Sequence, residues 1–164
     1  MRSLVVTVRL DDETQQRFER ERARWFPAGR TQVGAHVTLF HAVPGELRDD
    51  VETDLHDVTG PPFDVAVTGV RSLGRGAAYV LHSDELTRRH ATLQRAWWPH
   101  LTRQDRQPFR AHVTVQNKVD PATARRTVAE LQAAFAPFPV AALGWSLWRY
   151  DGGPWTHLID VPFR

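Results

Sequence analysis

The sequence predicts a single α+β domain made of two similar lobes, each with a mainly antiparallel sheet facing a central cleft and helices outside. Strand-like and helix-like segments alternate, and the order of the first half recurs in the second. The tripeptide His-Val-Thr occurs once in each half, and its two histidines, His36 and His112, lie about half the 164-residue chain apart. We therefore expect one domain over residues 1–164, duplicated in two intertwined lobes of approximately residues 1–75 and 76–164.

The elements of the first half follow from hydrophobic spacing and from residues that start or stop them. A valine-rich alternation predicts a strand over residues 4–10. Asp11 and Asp12 supply an N-cap and an acidic first turn for a helix that runs to about Trp25, ended by Pro27-Ala28-Gly29. Next come the first His-Val-Thr strand, stopped by Pro44-Gly45, a polar helix over residues 46–58 and a strand over residues 63–70.

The second half repeats this order. A turn over residues 73–76 leads into a strand over residues 77–82, and Ser83 or Asp84 caps a helix whose Leu86, Leu93 and Trp97 share one face. Pro108 precedes the second His-Val-Thr strand, and Pro121 opens a helix that runs to about Phe135. The chain closes with a hairpin whose strands cover residues 145–150 and 155–161.

The composition is that of an ordinary globular protein, with 41% hydrophobic and 24% charged residues. Without cysteine there is no disulfide and no thiolate nucleophile or metal ligand, and no apolar run or leader-like segment indicates a membrane span or export. We expect a cytoplasmic protein. The net charge of +2 is too small for a polybasic nucleic-acid coat protein, and the excess of arginine over the single Lys118 is attributed mainly to codon composition.

The two His-Val-Thr copies are the candidate catalytic residues. On a strand, residues i and i+2 point to the same face, so His36 shares a face with Thr38, and His112 with Thr114. Each pair combines an imidazole that titrates near neutral pH with a hydroxyl that can hold a substrate oxygen. Two such pairs facing each other would supply an acid, a base and two anchors.

The other histidines are expected at the surface or at edges, and His41, one step out of phase with Thr38, is expected to point away from the motif face. No zinc-binding spacing, phosphate-binding glycine loop or serine nucleophile elbow is present in the sequence. We expect neither a metal nor another cofactor. The six histidines outside the motifs are His41, His56, His82, His90, His100 and His157.

These residues resemble the two-histidine (2H) phosphoesterase superfamily, and within it the bacterial 2′-5′ RNA ligase-like branch. The resemblance rests on Arg9-Leu10-Asp11, on the segment 35–46 and on the second motif; where the family often has proline before each motif histidine, this chain has Ala35 and Ala111. The resemblance implies cofactor-free cleavage of a phosphodiester, at a 2′,3′-cyclic phosphate end of RNA or a nucleotide or at a 2′-5′ linkage, with reversible ligation. It also implies His112 as the base toward water and His36 as the acid toward the leaving ribose oxygen.

Four neighbouring residues are predicted to bind substrate. Arg110 and Phe40 each lie two positions from a motif residue, where they would clamp a phosphate and stack on a base. Gln116 is the counterpart of Phe40 in the second motif, and Tyr150 lies on the closing hairpin. The expected partner is an RNA end or a nucleotide bound by a monomer, without a membrane. Three alternatives remain open: a 2H hydrolase of a small nucleotide metabolite, a non-catalytic RNA- or nucleotide-binding module, and a metal hydrolase.

Overall fold

The computed structural model describes residues 2–28 and 33–164. The elements along them are β1 (Ser3–Leu10), α1 (Asp12–Trp25), β2 (Val37–Pro44), α2 (Arg48–Asp57), β3 (Phe63–Ser72), β4 (Ala77–His82), α3 (Asp84–Trp97), β5 (His112–Gln116), α4 (Pro121–Ala134), β6 (Phe138–Tyr150) and β7 (Thr156–Pro162). The predicted α+β class is confirmed. Gly29, part of the predicted stop after α1, lies outside the described residues.

Three helices begin at side-chain caps. The carboxylate of Asp11 accepts a hydrogen bond from the N–H of Thr14 (3.1 Å), and the hydroxyl of Ser83 accepts one from the N–H of Leu86 (3.1 Å). Asp120 caps α4 in the same way. Because such a cap is worth about 1 kcal/mol, these residues fix where the helices start.

All seven strands form one antiparallel sheet in the order β2-β1-β6-β3-β4-β5, with β7 also paired to β6. The long strand β6 pairs with β1 along one edge; on its other edge, the beginning pairs with β3 and the rest with β7. The two predicted sheets are thus two halves of one sheet, joined through β6. The first strand of the closing hairpin is predicted over residues 145–150, whereas β6 begins at Phe138, although Pro139 is unfavourable within a strand.

Helices α1 and α3 each pack on the half of the sheet that does not contain the strand before them. Helix α1 follows β1 in sequence but packs on the other half, where Phe18 contacts Tyr79 of β4 (5.5 Å between ring centroids). Helix α3 follows β4 but packs against β2, through contacts of His90 and Trp97 with Phe40. One continuous core results. No helix in the described ranges is long and apolar enough to cross a membrane.

Each half of the sheet draws strands from distant parts of the chain. One half contains β2, β1, β7 and the end of β6, and the other contains β5, β4, β3 and the beginning of β6. A division of the chain near residue 75 therefore does not coincide with a division of the sheet, and the origin of the halves by duplication stays a prediction.

Candidate active site

The two motif strands meet although they lie at opposite ends of the strand order. Strands β2 and β5 contact each other, so the sheet curves until its terminal strands approach. His36 directly precedes β2, and His112 opens β5. The curvature therefore brings together two motifs that the linear strand order separates.

The two motifs have the same pattern of burial over five residues. His36 and Thr38 are half-buried and alternate with the buried Val37; His112 and Thr114 repeat this on β5. Valine anchors each strand in the core, while histidine and threonine share the opposite face, as the alternation of a strand requires. The shared face predicted for each pair is what the structure has.

Both catalytic candidates are held by the same hydrogen bond. The Nδ1 atom of His36 lies 2.6 Å from the carbonyl oxygen of Gly34, and Nδ1 of His112 lies 2.8 Å from that of Arg110. A carbonyl can only accept, so Nδ1 carries the proton in both rings. The Nε2 atom is then left for chemistry, as a base when neutral and as an acid when protonated.

A β-bulge follows each motif and reverses the direction of the next side chains. In the pairing of β1 with β2, Thr7 lies opposite Thr38 but Val6 lies opposite Phe40, so Leu39 is an extra residue. In the pairing of β4 with β5, Val115 is extra in the same way. Because an extra residue shifts the alternation by one step, the residue two beyond each threonine turns into the core.

This shift contradicts two predicted substrate contacts. Phe40 is fully buried and stacks on His90 at 4.7 Å between centroids, so it is not available to stack on a base. Gln116 is also buried, and its Nε2 donates to the hydroxyl of Thr127 at 2.8 Å. Both predictions assumed an unbroken alternation, which the bulges interrupt.

The prediction that His41 points away from the motif face is wrong for the same reason, because after the bulge its side chain lies on that face. It is exposed and lines a small cavity of about 130 Å³ together with Thr38 and His112. Its Nδ1 lies 3.1 Å from a carboxylate oxygen of Asp105. His41 is therefore a third histidine beside the two motifs.

Asp105 fastens the loop before β5 to β2. Its buried carboxylate accepts hydrogen bonds from the N–H groups of His41 (2.9 and 3.0 Å) and Ala42 (2.9 Å). Burial alone would raise the pKa of Asp105, but the hydrogen bonds from the His41 ring and from these two N–H groups bring the pKa below its usual range. The ionised carboxylate thus holds the β2 side of the site against the β5 side.

Helix α1 supplies a second brace through Arg22, which is 6% exposed. Its guanidinium donates to the carbonyl of Thr114 in the second motif (2.7 Å) and to that of Val33 just before the first motif (3.0 Å). On the same helix, Glu19 accepts a hydrogen bond from the N–H of Ala35, and Gln15 donates to the carbonyl of Ala35 (both 2.7 Å). The backbone next to both motifs is therefore held from α1.

Burial lowers the pKa of both motif histidines. The pKa of His36 falls to about 4, mainly through burial and further through the nearby charges of Arg22, His41 and His112, while the bond to Gly34 acts in the opposite direction. The pKa of His112 is lowered by burial and by the charges of Arg71 and His41. Both rings are therefore neutral near pH 7, contrary to the expectation that the two keep their ordinary pKa values.

Larger cavities lie beside each motif. One of about 420 Å³, the His112 cavity, is lined by His112, Arg71 and Arg110 among others. The other, of about 280 Å³ and termed the His36 cavity, includes His36 and Trp148. The ring of Trp155 lies 4.7 Å from that of His36.

The remaining predicted residues divide between the site and its surroundings. Arg110 is exposed and lines both the His112 cavity and the small cavity beside Thr38. Tyr150 is exposed opposite Ser3, whereas Thr38 lies opposite Thr7. These two positions are four residue steps apart along β1, about 13 Å at about 3.3 Å per residue, so Tyr150 lies toward the other end of the strands from the motifs.

Four residues of the site were not predicted from the sequence, namely His41, Asp105, Arg22 and Arg71. Only Arg22 gave a signal, because it follows Phe18 by four positions on the buried stripe of α1. His90 was predicted at a surface or edge but is buried between Phe40 and Phe109, because it lies on the apolar face of α3. Within residues 2–28 and 33–164, no group of three or more His, Asp or Glu side chains is placed to hold a metal ion.

The chain matches the family model of the 2′-5′ RNA ligase superfamily over residues 10–154, which is most of its length and includes both motifs. The chain belongs to this superfamily. The 2H phosphoesterase resemblance is thereby confirmed, and membership supports an activity of the phosphodiesterase type.

Solved structures agree on the fold of this 2H protein. TT0787 of Thermus thermophilus is 20% identical with a TM-score of 0.70, and the match covers 100% of this chain and 98% of that one. LigT of E. coli, in a crystal structure with 3′-AMP, is 18% identical with a TM-score of 0.68, covering 99% and 98%. No curated protein sequence matches the chain significantly.

Proposed function

We propose that the protein is a metal-independent phosphodiesterase that cleaves 2′,3′-cyclic phosphate ends of RNA or nucleotides, or 2′-5′ linkages, by two-histidine acid–base catalysis. The observation that carries this proposal is the matched hydrogen bonding of His36 and His112 through Nδ1, which leaves Nε2 of each ring for proton transfer. Two histidines held by the same kind of hydrogen bond, beside strands that meet, suit a reaction that needs one base and one acid.

The chemistry is an in-line displacement at phosphorus. In this mechanism Nε2 of His112 takes the proton of the attacking water, and Nε2 of a protonated His36 donates to the leaving ribose oxygen. The hydroxyls of Thr38 and Thr114, on the faces of their histidines, donate to the non-bridging phosphate oxygens as charge develops there. A 5′-hydroxyl in place of water would give ligation by the same route, and water at ~55 M favours hydrolysis.

Because the pKa values of both motif histidines are lowered, we expect the bound substrate to promote the protonation of one of them. One histidine must be protonated, yet the pKa of each is lowered in the free protein. A phosphate anion bound between the rings favours their charged form and raises the pKa. We expect the optimum of kcat/KM, which reports the free protein, to lie below pH 6.5, and the optimum of kcat to lie at higher pH.

The first test is turnover of nucleoside 2′,3′-cyclic phosphates, a short RNA with such an end and a 2′-5′ dinucleotide, all in the presence of EDTA. We expect hydrolysis that falls about 10²–10⁴-fold in His36→Ala and in His112→Ala, the usual contribution of a positioned acid or base. The variant His56→Ala, on the exposed side of α2, is the matched control. Absence of turnover on every substrate, or full activity in either motif variant, would contradict the proposal.

A second experiment separates acid from base. A p-nitrophenyl diester has a leaving group that departs without a proton, so losing the acid matters little for it. We expect His36→Ala to retain most activity on this substrate and His112→Ala to lose it. The opposite result would exchange the two roles and leave the two-histidine mechanism in place.

A further inference from the structure

The two large cavities beside the histidines differ in charge. The His36 cavity is lined by three carboxylates, those of Asp12, Glu19 and Asp160, alongside Arg9. The described lining of the His112 cavity has two arginines, Arg71 and Arg110, and neither Asp nor Glu. The positively charged one of the two cavities is therefore the His112 cavity.

Arg71, which lines the His112 cavity, has an unused hydrogen-bond donor. Its Nε is buried and has no hydrogen-bond partner among the described residues. A buried donor without an acceptor destabilises the free protein, and a hydrogen bond to a ligand oxygen would remove that cost. Arg71 and His112 line the same cavity, and the positive charge of Arg71 contributes to lowering the pKa of that ring.

Arg110 is the second arginine of this lining. It precedes β5 by two residues, its carbonyl fixes the His112 ring and its side chain is exposed at the same cavity. Thr68 and Thr87 contribute hydroxyls to this lining, and at its rim His82 pairs with the exposed Asp84. Planar guanidinium groups match phosphate oxygens in two-point hydrogen bonds.

We propose that the His112 cavity is a subsite for a second phosphate of the substrate, one that is not cleaved, held by Arg71 and Arg110. This inference rests on the proposed function, because it defines which nucleotides that site prefers. A volume of about 420 Å³ lies within the about 300–1,000 Å³ typical of small-molecule sites. The acidic His36 cavity repels the same group, so the charge difference also sets the direction in which the substrate lies.

The second phosphate has two possible sources, the next phosphodiester of an RNA chain or a terminal phosphate of a free nucleotide. The first measurement is independent of catalysis. It compares the binding of adenosine 3′,5′-bisphosphate with that of 3′-AMP by calorimetry in wild type, Arg71→Met and Arg75→Met. Arg75, exposed in the turn between β3 and β4, is the matched control.

We expect the bisphosphate to bind about tenfold more tightly than 3′-AMP, since a charge-assisted hydrogen bond contributes that much. The ratio should fall close to one in Arg71→Met, persist in part in Arg71→Lys and stay unchanged in Arg75→Met. A ratio near one in wild type, or equal weakening of both ligands in Arg71→Met, would overturn the subsite. Using a ratio cancels the effect that loss of Arg71 has on the pKa of His112.

A second measurement identifies the source. It compares kcat/KM for a nucleoside 2′,3′-cyclic phosphate, its 5′-phosphorylated form and a dinucleotide ending in a cyclic phosphate. An Arg71-dependent gain for the 5′-phosphorylated form alone indicates a free nucleotide, and a gain for the dinucleotide indicates RNA. Tight bisphosphate binding without turnover would refute the proposed function but support the subsite. Turnover with a binding ratio near one would support the proposed function but refute the subsite.

Discussion

The perturbation that tests the architecture of the site most directly is Arg22→Met. The substitution preserves most of the buried volume but removes the guanidinium that joins the carbonyls of Thr114 and Val33. Each carbonyl left without a donor costs about 1–3 kcal/mol where water does not replace the bond. The desolvation penalty of a buried charge is relieved at the same time. We expect a net loss of about 2–4 kcal/mol in the free energy of unfolding.

The functional consequence should exceed the loss of stability. Without the brace, the backbone beside each motif is free to shift, and a misplacement of about 1 Å between reacting groups costs about a hundredfold in rate. The pKa of His36 should rise, because the positive charge of Arg22 contributes to lowering it. Urea unfolding, NMR titration of the His36 ring and kcat/KM on a cyclic phosphate measure these three effects.

Arg89→Met is the control, because Arg89 is an equally buried arginine (4% exposed) that donates to Glu85 and to the carbonyl of Pro61, away from both motifs. We expect a comparable loss of stability without a change in the titration of His36 or in kcat/KM of the folded protein. If the two variants behave alike in titration and activity, Arg22 is a structural residue that does not couple the motifs.

Three further outcomes are expected. Asp105→Asn should destabilise the protein by about 1.5–3 kcal/mol in urea unfolding, since hydrogen bonds to a charged acceptor contribute about that much. An unchanged midpoint would show that the hydrogen bonds from β2 to Asp105 are dispensable for stability. The pKa of the buried His90 is about 4, below the value near 6.5 of an unfolded chain. The unfolded state therefore binds more protons between these pH values. The free energy of unfolding should fall as the pH drops from 6.5 toward 4, by up to about 3 kcal/mol from this ring. A shallower pH dependence of unfolding in His90→Gln, measured between pH 6.5 and 5, is the check. Gly76→Ala should unfold more easily, because its Cβ would collide with the carbonyl oxygen of Gln116, while Gly69→Ala meets open space and should change the midpoint little.

The elements were predictable because each carries its own local signal. Alternating valines define β1, the caps Asp11 and Ser83 start α1 and α3, and glycine or proline marks most of the ends. The beginning of β6 was missed because Pro139 opposes strand formation locally, and the pairing of that segment with β3 decides otherwise. Pairing between strands that are distant in sequence does not produce a recognisable hydrophobic pattern in either strand.

The candidate site divides in the same way. The sequence by itself determined the two His-Val-Thr motifs and the face that each histidine shares with its threonine, because a strand fixes the relation of residues i and i+2 wherever it lies. The two motifs also carried the resemblance to the superfamily. Only the tertiary structure decided that β2 and β5 meet, that Asp105 and Arg22 brace them, and that Phe40 and Gln116 turn inward while His41 turns to the motif side. Curvature of the sheet, bulges and buried charge depend on neighbours far away in sequence, and a local pattern holds no information about those neighbours.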